Sequence, residues 1–202
     1  MLTAGPRVVD LENLTSDDII LEVIAQALAH QNRYLGHTIR PYSVAEHSVL
    51  VARLVWQETQ DPDLALWGLF HDAPETWLAD IPSPVKILIG AHGMAQYLEA
   101  ESRIMAQVAE KFGLRGSVIP DVVRDADKRL AVLERVMLFS RISSYRGSIE
   151  YPARFPGGVS FFPTEEWINL RIDMPADVAC QDFKLAFDHL CALRREVAEV
   201  KP

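Results

Sequence analysis

No stretch of this chain is apolar enough, over the roughly 18 residues a membrane span requires, to suggest a transmembrane helix. Cysteine is scarce, and the two present, Cys180 and Cys191, form no C-x-x-C pair of the metal-binding kind. Both fall in one predicted helix about 16 Å apart at 1.5 Å per residue, too far to bridge, so free thiols are expected. Basic residues are the minority: 20 Lys and Arg stand against 28 Asp and Glu, a net charge of −8. That balance argues against a partner such as polymeric nucleic acid, which calls for a basic face. It leaves room for a small phosphorylated substrate, because one metal and one or two arginines reverse the potential locally. The first seven residues lack the apolar core of a signal peptide, so a cytoplasmic chain without membrane association is expected. Internal repeats, low-complexity tracts and linkers are likewise missing, and residues 1–202 read as a single domain.

What is present is helical. Hydrophobic residues make up 49% of the chain, enough for one substantial core. Thr15 with Asp17 and Asp18 reads as a cap and acidic first turn, followed by Ile20, Val23, Ile24, Ala27 and Leu28 on one face. Arg33 to Tyr42 reads as a loop. Ser43 and Glu46 form a capping box that opens a helix to about Thr59. Pro62 suits the first turn of the next helix, whose segment from Leu64 to Phe70 is apolar on all sides and so belongs at the centre of the fold. Pro74, Pro82 and Pro84 then cut the chain into short pieces before a helix from about Ala91 to Phe112. Another runs from near Pro120 to about Ser140, and a last one from about Ala176 to Val200. Residues 143–163, rich in Gly, Pro and Ser, read as an irregular excursion. The expected architecture is an all-α bundle around one central apolar helix.

That central helix ends at His71-Asp72. A histidine and a carboxylate side by side at the end of an apolar run are costly to bury unless something binds them, and a divalent metal is the obvious compensation. His47 lies at helical spacing with Leu50, Val51 and Leu54, facing the core. Downstream, Asp127 shares a face with Val123, Leu130, Ala131 and Leu138, whereas Asp125 points to the opposite, solvated side. Glu134 borders the same apolar face and reads as a salt-bridge partner. His47, His71, Asp72 and Asp127 thus form a candidate set for one divalent ion: manganese, cobalt, iron, zinc or magnesium. On a six-coordinate ion they leave positions open for reactants; on tetrahedral zinc they close the site and make it structural.

His47…His71-Asp72…Asp127 resembles the HD-domain metal-dependent phosphohydrolases. The match is closest to their bacterial 5′-deoxynucleotidase branch, through Arg33-Tyr34, Ser43-Val44-Ala45-Glu46-His47-Ser48, His71-Asp72-Ala73-Pro74-Glu75, Asp80-Ile81-Pro82-Ser83-Pro84-Val85-Lys86 and Ala126-Asp127. It covers about residues 20–140; beyond Ser140 nothing is recognised. The resemblance implies hydrolysis of the phosphomonoester of (deoxy)nucleoside 5′-monophosphates. Glu75 would orient or deprotonate the attacking water beside the ligand Asp72. Asp80 would serve in acid/base work or contact the sugar, and Arg33 would grip the phosphate. Tyr34 stands where a tryptophan is expected, against the sugar, a departure that weakens any preference for deoxyribose. His37 is a further base or phosphate contact, and Lys86 and Arg40 are candidates for an electropositive rim. His30, His92 and His189 read as structural or surface residues. A homodimer is also implied, with Phe155, Phe161, Phe162 and Trp167 available either for it or for the domain's own core. Two alternatives stay open: a triphosphohydrolase or pyrophosphohydrolase of the same superfamily, and a non-catalytic regulatory domain with a structural metal.

Overall fold

The computed structural model describes residues 1–5, 8–139 and 174–200, and the excursion expected at 143–163 lies outside them. Among the described residues the regular structure is all-α: α1 (Leu21–His30), a 3-10 turn (Arg33–Gly36), α2 (Val44–Thr59), α3 (Pro62–Phe70), α4 (Glu75–Leu78), α5 (Ser83–Phe112), α6 (Asp121–Leu138) and α7 (Ala176–Val200). No described helix is long and apolar enough to cross a membrane.

α3 is the hub. Asp61 caps it, accepting from the amides of Asp63 and Leu64, and Pro62 occupies its first turn. Ala65, Leu66, Trp67, Leu69 and Phe70 are fully buried, as expected of a helix without a polar face. Gly68 lets α2 come close, since a Cβ there would sit 3.0 Å from the Ala52 Cα. α7 closes the other side through aromatic packing: Phe183 and Phe187 meet the edge of Phe70, which stacks on Phe112 at 4.3 Å. Cys180 and Cys191 on α7 are free thiols.

Two local expectations are corrected. Thr15 does not cap the first helix: its amide and hydroxyl both donate to Asp18 Oδ2, at 2.9 and 2.6 Å, making a separate turn. α1 then starts at Leu21 after Ile20, with no side-chain cap. The prolines near residue 82 do not delay the next helix to Ala91. Pro84 sits in the first turn of α5, which begins at Ser83 and breaks only at Gly90, where φ is 77°. Ser43 does cap α2, accepting from the Glu46 amide at 3.1 Å.

Candidate metal centre

Three segments converge beneath the loop between α1 and α2. His47 comes from α2, His71 and Asp72 from the end of α3, and Asp127 from α6. His47 Nε2 lies 3.3 Å from His71 Nε2 and 3.1 Å from Asp127 Oδ1, and His71 Nε2 lies 4.0 Å from that oxygen. Asp72 Oδ2 is 3.2 Å from His71 Nε2 and 3.7 Å from His47 Nε2. Ligand bonds of about 2.1 Å place neighbouring donor atoms about 3.0–3.4 Å apart around an ion, so this spacing suits a shared cation. His47, His71 and Asp127 form a group that could hold a metal ion.

The far side of each imidazole supports the same conclusion. His47 Nδ1 is 2.6 Å from Glu134 Oε1, and His71 Nδ1 is 2.8 Å from the Gly68 carbonyl. Both partners are acceptors, so each Nδ1 carries the hydrogen and each Nε2 turns a lone pair toward the common point. Two lone pairs and two carboxylates facing one another need a positive charge between them. Without a metal, a proton fills part of that need. Burial and the Arg33 guanidinium oppose charge on His47, but Glu134 and the bond to Asp127 outweigh them and lift its pKa to about 9. Burial also opposes the charge on Asp72, yet His71, His47 and Arg33 hold its carboxyl well below the ordinary range.

Glu134 is the residue whose weight the sequence understated. It is an ion-pair partner, as expected, but fully buried, and it gathers several groups at once. The hydroxyls of Tyr34 and Tyr42 donate to its two oxygens at 2.6 Å each, and Arg33 Nε lies 3.4 Å away. Burial alone would raise this carboxyl; His47, Arg33 and the hydrogen bonds bring it down to about 2. Its place one face-repeat beyond Asp127 was the available signal. Tyr42 carried none.

Arg33 is largely buried beside the cluster, with Nη1 3.2 Å from Asp72 Oδ2. A short ladder places it, since its amide donates to the Tyr42 carbonyl at 2.8 Å and the Val44 amide donates to the Gln31 carbonyl at 3.0 Å. Tyr34, with φ 57°, packs edge-on against Phe139 at 5.4 Å. Its hydroxyl is committed to Glu134, which leaves the ring as the part of the side chain free of hydrogen bonds. His37 is exposed, and no described contact joins its ring to the cluster. Arg40 is a correction. It is buried in a two-bond ion pair with Glu46, at 2.9 and 2.5 Å, and stacks over Tyr42, so it contributes to the loop's packing and not to a rim.

Glu75 follows Asp72 by a single turn, its amide donating to the Asp72 carbonyl at 3.0 Å. Its Oε2 is buried with no hydrogen-bond partner among the described residues. Burial first, then Asp72 and Asp80, push its pKa up to about 10. Asp80, half-buried, is raised by burial and by Asp72 against the pull of Arg33. Lys86 is close enough to temper both carboxyls, and its Nζ lies 5.5 Å above the Tyr97 ring. His30, His92 and His189 are exposed.

The fold and this centre define an all-α protein with a candidate divalent-metal site. Comparison with models of known protein families finds no match. The chain is similar to the Escherichia coli protein YfdR, 37% identical over 124 residues, which is 61% of this chain and 64% of that protein. It is also similar to a Rhodobacter capsulatus protein, 40% identical over 128 residues, 60% of this chain and 62% of the relative. Both relatives are described as uncharacterized, and the chain matches just under two thirds of the length of each.

Proposed function

We propose that the chain is a metal-dependent phosphohydrolase of the HD-domain kind, releasing phosphate from (deoxy)nucleoside 5′-monophosphates. The observation that carries this reading is an arginine paired with Asp72, and a buried glutamate oxygen one turn beyond Asp72 without a hydrogen-bond partner among the described residues, both next to a cluster that could hold a cation. A structural metal needs ligands only. A phosphohydrolase also needs a group to take a proton and a cation to receive the phosphate, and Glu75 and Arg33 have the chemistry for those roles.

When bound at His47, His71, Asp72 and Asp127, a divalent ion supplies charge neutralisation for the phosphoryl oxygens and lowers the pKa of a water. Arg33 presents a planar guanidinium that stays charged at any working pH and forks two anionic oxygens. Asp72 and Glu134 hold that group against rotation. Burial, Asp72 and Asp80 favour the protonated form of Glu75. The charge of a bound cation would offset them, and the ionised Glu75 would then accept the proton of the attacking water at Oε2. Asp80, whose carboxyl burial raises, passes a proton to the leaving sugar oxygen, and Lys86 tempers the negative charge of the two carboxyls.

Phosphate release from a panel of nucleoside mono-, di- and triphosphates, with Mg²⁺, Mn²⁺, Co²⁺ or Zn²⁺, tests the reading. Release from monophosphates alone, abolished in Asp72→Ala and Glu75→Ala, is expected. Intact tripolyphosphate or pyrophosphate among the products would move the substrate to nucleoside triphosphates. A metal-loaded protein that cleaves nothing in the panel would leave the regulatory reading in place of both.

A further inference from the structure

The loop between Glu75 and Asp80 contains a backbone conformation that an alanine rarely adopts. The Ala79 amide closes α4 by donating to the Glu75 carbonyl at 2.9 Å, and Ala79 then takes φ 64°, ψ 155°. That region is populated almost only by glycine, because a Cβ crowds the backbone there. A residue stays in it only when its surroundings hold it.

Three side-chain bonds hold this turn. Gln31 Nε2 donates to the Glu75 carbonyl at 3.0 Å, and Gln31 Oε1 accepts from the Asp80 amide at 3.3 Å. Tyr97, from α5, donates through its hydroxyl to the Ala79 carbonyl at 3.1 Å. One carboxamide thus grips the turn at its first and last residues. Gln31 is itself anchored: it ends α1, and its carbonyl accepts from the Val44 amide in the same ladder that places Arg33.

We propose that Gln31 is a positioning residue for Asp80, holding the strained Ala79 turn so that the Asp80 carboxylate stands beside Glu75 and Asp72. Released from the carboxamide, Ala79 relaxes toward negative φ and swings Asp80 away from the cluster. The grip needs an amide, since a carboxylate of the same shape accepts from Asp80 but cannot donate to the Glu75 carbonyl. The kinetic part of the proposal rests on the phosphohydrolase reading; the structural part does not.

The test uses the full-length, metal-loaded chain with Gln31→Ala, Gln31→Glu and the double change Gln31→Ala with Ala79→Gly. Amide hydrogen exchange at Asp80 should quicken on the order of tenfold in Gln31→Ala and by a smaller factor in Gln31→Glu, which keeps the acceptor but loses the donor, with α2 and α6 unchanged. For phosphomonoester hydrolysis, kcat should fall on the order of tenfold or more, while KM and Mn²⁺ affinity stay within about twofold. Adding Ala79→Gly, which accepts the turn without strain, should recover part of the lost kcat. Unchanged exchange at Asp80 in both Gln31 variants overturns the proposal. So does quickened exchange that spreads through α2 and α6, or a loss of Mn²⁺ affinity parallel to the loss of kcat. If the wild-type chain hydrolyses no phosphomonoester, the phosphohydrolase reading fails and the Asp80 exchange alone decides this one.

Discussion

His47 and Glu134 meet at 2.6 Å, Nδ1 to Oε1, with both side chains removed from solvent. Through this one contact a carboxylate that touches no open space sets the tautomer of a candidate metal ligand, and through its other bonds it steadies Arg33, Tyr34 and Tyr42. The centre is therefore sensitive to a residue outside its ligand set.

Glu134→Gln removes the charge and keeps the shape. Mn²⁺ or Co²⁺ affinity, measured by calorimetric titration, should fall about 10–100-fold, the usual cost of losing an outer-shell partner of a ligating histidine. An unchanged affinity would show that Glu134 serves packing alone.

Removing the metal should lower stability as well as activity. An ion present at 100 times its dissociation constant stabilises the folded state by about 2.7 kcal/mol. In a chain of this size that corresponds to about 5–10 °C in Tm, read by thermal scans with Mn²⁺ against chelator. His47→Ala should abolish the metal-dependent difference. A difference that survives in that variant would place the binding site elsewhere.

Arg33→Lys keeps the positive charge and loses the fork. KM for a nucleoside monophosphate should rise about tenfold, consistent with the loss of one charge-assisted bond, as seen in steady-state kinetics. A KM equal to that of the wild type would remove Arg33 from the substrate contacts.

Gly68→Ala tests the packing of the central helix. A methyl group there meets the Ala52 backbone, and the clash should cost about 1–3 kcal/mol in denaturant unfolding. Stability equal to the wild type would mean that α2 and α3 can separate without loss.

Much of the site was legible because its residues sit on strongly periodic helices. Asp127 was separable from Asp125 by face alone, and the structure places Asp127 at the cluster while Asp125 pairs with Arg129 at 2.7 Å. The apolar run of α3 announced its own burial. Side chains on irregular segments were harder to read. Arg40 looked like a rim cation because nothing local shows that the loop folds back to pair it with Glu46, six residues on. Gln31 carried no signal, since its two partners lie 44 and 49 residues away.

Helical periodicity, capping residues and the abrupt end of an apolar helix at His71-Asp72 dictated the all-α architecture and nominated the cation ligands, because these depend on neighbours within a turn or two of the chain. The packing of α6 against α2 decided that Glu134 orients His47, and the seating of α1 beside α4 decided that Gln31 grips the Ala79 turn. Those relationships are contacts across many tens of residues, and a hydrogen bond of that kind exists only once the helices that carry its two ends have been packed together.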